Sequence, residues 1–544
     1  MRENVKVNIV TFVAPAIAFA VLMVLAVFLF KLPLNFASGY FQTALVITGA
    51  IAVTFGLIFY YIKTENSLDD YDDAIGQLIF AGIYALLIVV ISAVWLFSSV
   101  VFNSKEYASI TEFERVSFED AIPSEDVGTI ALMDTETAKA FGDRTLGQLT
   151  DLVSVYNLKN YTTTAINGQP IKVSPLEYAS VFKYMAVGKD GIPGYVKVDP
   201  VNMTAEYVQS EKMYYGESSA FAHNVARMFQ FHNLTAIYGE IRFEVADDGT
   251  CYYVAPILQS QIGICAKVPT GVSIMNAHTG EIKDYSLDEV PEWVDVVYDG
   301  DMSCKLFDYY GKYNGGFWNS IFAQKNCTET TDDYGYKIIG NDVYTYTGVT
   351  STKSTSTNAS AVGFVLVNER TGEMKYMEVS GAEEHSAMAA AEGEVSDYGW
   401  KASFPSIIKV NGQPAFIMVL KDESNIVKRY AMVNVVNYTQ IAIGDSSKDV
   451  LNKYNAMVNG TEYVVEEEVE VETEVPDDSK TARITVSDIQ FIVNGGNTTV
   501  YVTDSNGNVY RQAFTEDWIL IQVGDTVKVT YTEGEISQIY AVTR

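Results

Sequence analysis

Histidine and cysteine are scarce in this chain, with four of each in 544 residues. That scarcity narrows the chemistry before any motif is sought. A zinc site wants closely spaced ligands, yet Cys251, Cys265, Cys304 and Cys327 form no CxxC pair and have no histidine close by in sequence. His223, His232, His278 and His385 are equally scattered; nine residues apart on one helix, His223 and His232 would point to roughly opposite faces. HExxH, a Walker loop, GxGxxG and GxSxG are all missing. Gly216-Glu217-Ser218-Ser219-Ala220 lacks the last glycine of a nucleophile elbow. Glu383, Glu384, His385 and Ser386 are adjacent, but sequence neighbours do not face one another on a helix. Asp299 and Asp301, like Asp332 and Asp333, lack the regular oxygen spacing of a calcium loop. The expectation is a protein that is not an enzyme, with no catalytic residues, no cofactor and no metal.

Positive charge is also short. Lys and Arg number 37 against 68 Asp and Glu, a net charge of -31. Such a surface repels nucleic acid and anionic headgroups, so no nucleic-acid partner is expected. Apolar residues make up 48% and charged residues 19%, enough to bury real cores. Tyrosine is plentiful at 36 residues, which suits strands and contact surfaces alike.

Charge is absent altogether from three early stretches: Ile9 to Phe30, Phe41 to Ile62 and Ala74 to Phe102. A hydrocarbon core about 30 Å thick needs roughly 20 helical residues, so each stretch can span it. Tyr40, Phe41, Tyr60 and Tyr61 sit at the ends, where aromatic rings favour the interface. Gly49, Gly56 and Gly82 permit close helix contact. With no ionisable residue inside a span, a transport path is not expected. Arg2, Lys6 and Lys63 mark one side, and Lys31, Lys105 and Arg115 the other, so cationic flanks alone do not orient the bundle. The acidic body, the even cysteine count and eight N-x-S/T sequons (Asn160, Asn202, Asn233, Asn326, Asn358, Asn437, Asn459, Asn497) favour a cytoplasmic N-terminus and an extracytoplasmic body. Pairing by proximity would join Cys251 to Cys265 and Cys304 to Cys327, one of three connectivities; free buried thiols are the alternative.

Beyond Asn103 the pattern is mixed. Helical spacing marks Thr145 to Asn157, Ser218 to Phe231 and Ser446 to Met457, the last with capping-box spacing of Ser446 and Asp449. Strands are expected at Gly194 to Asp199 and Ala236 to Val245. A theme then recurs: Gly271 to Tyr285 (GVSIMNAHTGEIKDY) and Gly363 to Tyr376 (GFVLVNERTGEMKY) share an Asn, two residues, Thr-Gly-Glu, an apolar residue and a Lys. Both read as hairpins turned at Gly280 and Gly372, with looser copies at Val196 to Tyr207 and Tyr430 to Ile441. This strand, N-x-x-T-G-E, strand pattern resembles the hairpin of PepSY-type modules, small extracytoplasmic α+β domains that restrain partners such as peptidases. The blocks Val290 to Asp301, Tyr309 to Phe322, Asn341 to Ser351 and Ser380 to Gly393 resemble a family of bacterial membrane-anchored envelope proteins. That resemblance implies a location and supplies no chemistry.

Val464 to Asp478 alternates Val and Glu before Pro-Asp-Asp and reads as an exposed linker. The last stretch has strands at Ala482 to Val486, Ile489 to Val493, Thr499 to Thr503, Val509 to Phe514, Thr526 to Thr532 and Ile536 to Val542, with tight turns at Asn494-Gly495-Gly496 and Ser505 to Asn508. It resembles small OB- or SH3-like barrels, without their usual basic face. The expected class is therefore α+β: a three-helix transmembrane anchor (1–103), two PepSY-like α+β modules (104–265 and 266–464), a linker (465–478) and a small β-barrel (479–544). Tyr309, Tyr310, Tyr313, Phe317 and Trp318 form the densest aromatic cluster, a candidate interaction surface or else local core. The functional expectation is a membrane-integral envelope scaffold that forms homo-oligomers or docks an envelope protein. A module restraining a peptidase or cell-wall enzyme, and a hydrolase with an unrecognised site, are the alternatives.

Overall fold

The computed structural model describes residues 9–63, 71–352, 360–461, 480–494, 497–513, 521, 523–524, 526–532 and 535–541. The expected linker 465–478, Asn358, and Gly495 with Gly496 lie outside them. Two compact units divide the chain, residues 1–462 and 463–544.

The first unit opens with α1 (Ile9–Phe30), α2 (Gly39–Lys63) and α3 (Tyr71–Phe97), each long and apolar enough to cross a membrane. They leave Val24, Leu29, Ile58, Leu78 and Val89 on the outside, which suits lipid and not water. Two glycines of α2 are notches for α3. The Tyr84 ring lies over Gly49 and the Gln77 amide over Gly56. From there Tyr84 donates to the Val46 carbonyl (2.7 Å) and Gln77 to that of Val53 (3.2 Å). Gly82 has open space around it and plays no such part. The third apolar stretch does not stay one helix to Phe102. It breaks after Phe97, where the Asn103 side-chain amide donates to the freed Phe97 carbonyl (2.6 Å), and α4 (Val100–Ala108) follows.

Among the described residues the body is built around four larger, mainly antiparallel sheets of like topology, each a four-strand meander at heart, beside two short strand pairs. Sheet 1 is Thr162–Ile166, Gln169–Pro175, Ile192–Asp199 and Thr204–Met213. Sheet 2 is Arg242–Val245, Cys251–Ile262, Cys265–Asn276 and Ile282–Ser286, with Ile237–Tyr238 added. Sheet 3 is Gly335–Ile339, Asp342–Ser351, Gly363–Asn368 and Met374–Met377, extended by Thr328–Thr330 and by a parallel strand Glu114–Val116. Sheet 4 is Ser406–Val410, Gln413–Lys421, Val427–Asn434 and Ile441–Gly444, with Lys401–Ala402 at one edge.

The repeated motif forms the last hairpin of sheets 2 and 3, and its hydrogen bonds match one for one. The Asn276 side chain accepts from His278 N and Thr279 N (both 2.9 Å); that of Asn368 accepts from Arg370 N (2.9 Å) and Thr371 N (3.0 Å). Thr279 and Thr371 each accept from the following Glu nitrogen, and Gly280 (φ 75) and Gly372 (φ 76) close the turns. The looser copies share the core of this device. Asp199 accepts from Val201 N and Asn202 N, and Asn434 from Val436 N and Asn437 N. Each of the four sheets therefore ends on the same side-chain-capped turn.

The expected boundary between 265 and 266 is corrected by this topology. It falls in the turn of one continuous hairpin, where Ile262 pairs with Cys265 and Tyr252 with Asn276. The sheets are also interleaved, because Phe118 and Ile122 pack in the core shared by sheets 3 and 4. Helix boundaries shift too. Thr145 to Asn157 is divided among Thr135–Gly147, Thr150–Val153 and the strand Tyr156–Asn157. Asn224, whose side chain accepts from Arg227 N, delays the second helix to Val225–His232. The third, Ser447–Asn459, starts as its caps dictate: Ser446 accepts from Asp449 N (3.1 Å) and Asp449 from Asp445 N (2.8 Å).

The second unit is a closed five-strand barrel of Lys480–Asn494, Asn497–Asp504, Val509–Ala513, Thr526–Thr532 and Glu535–Ala541. The first two expected strands are one long strand. A bulge at Val486/Asp488 bends it, so its halves pair with different neighbours. Ile484, Val500, Val502 and Val529 fill the centre. Asp504 caps the turn of Ser505 to Asn508 by accepting from Asn506 N and Asn508 N.

Candidate functional site

The ends of the spans are stitched to the body by backbone groups the spans cannot satisfy themselves. Leu32 to Ser38, between α1 and α2, meets the segment after the Val225–His232 helix. Leu34 N donates to the Leu234 carbonyl (2.7 Å) and the Asn35 amide to that of Thr235 (2.9 Å). From the helix itself, Gln230 donates to the carbonyls of Val27 (2.9 Å) and Leu32 (3.0 Å). Arg227 donates to the Phe28 carbonyl, with its guanidinium 4.2 Å from the centre of the Phe28 ring. On the other side, Tyr107 of α4 donates to the Ser98 carbonyl (2.9 Å), and the Ser98 hydroxyl accepts from Ile264 N (3.3 Å) at the turn of the long sheet 2 hairpin. In α2 and α3, Trp95 donates to Gln42 (2.8 Å).

Between these seams lies a cavity of about 1420 Å³. Its membrane wall includes Leu25, Leu29, Ile47 and Ile91, and its body wall Ala226, Phe229, Ile237 and Leu258. The lining is mostly apolar, with Gln42, Gln230 and Asn233 among its polar groups and two ammonium groups, Lys31 at the end of α1 and Lys267 in sheet 2. Burial lowers both, helped at Lys31 by Arg227. Ordinary small-molecule sites measure roughly 300–1,000 Å³ and keep a few polar groups for orientation. This cavity is larger and mostly apolar, with one of its cations, Lys31, directly after the end of α1.

The aromatic cluster expected from sequence divides in two. Tyr309 and Tyr313 pack on Tyr107 (ring centres 4.9 and 6.4 Å), and Tyr310 packs on Phe113 (4.7 Å). Tyr309 and Tyr313 are the seam between α4 and the Gly300–Tyr313 helix, and Tyr310 packs on the segment that follows α4. Trp318 turns outward at 65% exposure, with Phe317 at its edge and Phe322, 77% exposed, stacked on it at 5.8 Å.

All four cysteines are free thiols. The proximity pairing fails on geometry. Cys251 and Cys265 sit at opposite ends of one hairpin, about 35 Å apart at strand rise. Cys327 lies beside the Lys312 carbonyl (3.5 Å), two helical turns and about 12 Å from Cys304. Burial pushes the Cys251 and Cys304 thiols up to about 12, far from a reactive thiolate. The histidines are held separately. His223 meets Tyr184 (2.9 Å), His278 meets the Lys212 carbonyl (2.6 Å), and the His385 ring packs on Phe404. One arrangement was invisible in sequence: Ser273 donates to Asp284 (2.5 Å), whose other oxygen contacts His232 (3.0 Å). The acid stands between hydroxyl and imidazole, the wrong order for an imidazole that must take the hydroxyl proton.

No protein-family model matches the chain, and no curated protein matches it. Among solved structures, a B. megaterium levansucrase mutant overlaps 81% of this chain and 95% of its own at 9% identity, with a TM-score of 0.19. A GH43_1 enzyme from Xanthomonas citri overlaps 39% and 54% at 12% identity, with a TM-score of 0.10. A Synechocystis apocarotenoid oxygenase mutant overlaps 54% and 60% at 10% identity, with a TM-score of 0.14. Likenesses this weak carry no argument about fold or activity.

Proposed function

We propose that this chain is an integral membrane protein whose body works by binding rather than by catalysis, and that the junction cavity holds the acyl part of a membrane amphiphile. The cavity itself carries the reading: it is bounded by spans on one side and by the body on the other, so its open side is supplied by the bilayer. Although the chain as a whole is acidic, the cavity lining carries Lys31 and Lys267 and, among the described residues, no acid. That fits an anionic headgroup, since each cation near a membrane surface contributes on the order of 1 kcal/mol toward anionic lipid. The test is lipid analysis of the full chain after extraction in mild detergent. A bound phospholipid surviving exhaustive washing, enriched in anionic species, is expected. A chain that washes free of lipid contradicts the reading.

The same body serves as an envelope scaffold, with its N-terminus cytoplasmic and the body outside. Its exposed Trp318–Phe322 stack is the surface for self-association, because so large an aromatic area facing water is costly for a lone protein. Native mass measurement of the W318A/F322A double variant should show smaller assemblies than the parent, and protease shaving of intact cells should remove the body. The matched capped hairpins favour a second reading, a PepSY-like module restraining a peptidase; co-purification of such an enzyme would favour it.

A further inference from the structure

Three lysines are buried among the described residues: Lys172, Lys337 and Lys421, at 5%, 4% and 5% exposure. They come from sheets 1, 3 and 4; Lys172 and Lys337 line one cleft apart from the junction, and Lys421 reaches it only through its partner Asp134. Two have carboxylate partners. Lys337 pairs with Glu125, and Lys421 with Asp134 (2.7 Å). Lys172 has no carboxylate within ion-pair distance among the described residues. Its ammonium donates to the hydroxyls of Thr163 (2.8 Å) and Thr135 (3.2 Å) and lies 5.3 Å from the centre of the Tyr336 ring.

The cleft has two chambers. The inner, about 80 Å³, has Lys172, Thr135, Thr163 and Tyr334 in its wall; the outer, about 290 Å³, has Lys337 and Glu125. Tyr336 and Ser406 border both. Asp134 also lines the inner chamber, but Lys421 and Thr137 take up its charge. Glu369, the other acid felt by Lys172, is fully buried, accepts a hydrogen bond from Thr345 and is pushed by burial up to about 8, so at neutral pH it supplies little counter-charge. A cation taken out of water wants a compensating charge, and the fold gives one to each of its other buried lysines. Each threonine hydroxyl that accepts from Lys172 still has its own proton to donate.

We infer that this cleft binds a small organic acid, with one oxyanion head (carboxylate or phosphate) on Lys172, Thr163 and Thr135 in the inner chamber and the remainder in the outer one. The inference is independent of the lipid reading, because no residue of the junction cavity takes part.

The test is thermal unfolding of the full chain in detergent with inorganic phosphate or acetate at roughly 10 mM, against chloride at matched ionic strength. A rise of a few degrees beyond chloride is expected for at least one anion. Lys172→Met should unfold at a higher temperature than the parent without anion, because an uncompensated charge is gone, and should lose the anion response. Thr163→Val, which keeps the lysine, should weaken the response. Absence of any shift in the parent, or an undiminished shift in Lys172→Met, overturns the site.

Discussion

The junction cavity and the lysine cleft differ in size and in where their cations stand. The first is an apolar space with cations at its edge, where spans and body meet by hydrogen bonds to loose backbone carbonyls. The second is a smaller space of mixed lining with a buried cation in its inner wall, where sheets meet through buried ion pairs and hydroxyls. The contrast follows from solvent. A cavity that opens on lipid can stay apolar and let acyl chains fill it. A cleft between sheets must pair its charges from its own walls or from what binds there.

That contrast predicts unequal sensitivity. The largest effect should come from the buried acids between sheets 1 and 2, where Asp295 accepts from Ala165 N. Glu244 is fully buried and accepts from Asp295 N (2.8 Å) and Val296 N (3.2 Å), while burial, then Asp295, raises its carboxyl well above the ordinary range. Glu244→Ala should cost roughly 3 kcal/mol by leaving buried donors unpaired. Glu244→Gln, which keeps an acceptor and mimics the protonated acid, should cost far less. Denaturant melts of both variants decide it; equal losses would mean that charge and not hydrogen bonding matters there.

The next effect concerns the repeated turns. Gly280→Ala and Gly372→Ala each place a Cβ at positive φ and against a tyrosine ring, Tyr215 and Tyr298 respectively. Each should cost about 1–2 kcal/mol, and by similar amounts. A loss at one turn only would break the equivalence of the two hairpins.

A milder, global effect is the pH dependence of stability. Burial pushes Glu217, Asp295 and Glu384 up to about 7 and Glu369 up to about 8. These acids hold protons in the folded chain that they release when it unfolds, so their contribution is full below the unfolded carboxylate range and is lost as pH rises to about 8. Lys172, lowered to about 8 by burial, acts oppositely above that point, its penalty fading as pH rises toward 10.5. Thermal stability should therefore be higher near pH 5 than near pH 8, with a minimum near pH 8 that is shallower in Lys172→Met. Of the titratable groups around Lys172, Glu369 titrates in the same range; Asp134, despite its burial, is lowered below the ordinary carboxylate range through its hydrogen bonds to Lys421 and Thr137, and burial raises Tyr334 and Tyr336 above the ordinary phenol range.

How much of this could be read from sequence depended on how local the cause is. Three uncharged stretches announce their helices because the bilayer sets a length, and Asn276 and Asn368 announce their turns because capping is settled within four residues. The junction and the cleft were not legible. Leu34 meets a residue 200 positions away, Lys421 pairs across 287 positions and Lys337 across 212. The false boundary at 265 has a local cause: the hairpin turns at Gly263 and Ala266, both at positive φ, with none of the Asn-Gly chemistry that marks the other turns.

Lipid occupancy of the junction cavity is read by native mass spectrometry of the full chain released from mild detergent, comparing the parent with Ala226→Trp, which fills the body wall of the cavity. The parent should carry a retained phospholipid, Ala226→Trp should lose it at least tenfold without loss of thermal stability, and Lys31→Gln should keep it with a weaker preference for anionic headgroups. Equal lipid retention by the parent and Ala226→Trp would contradict the account.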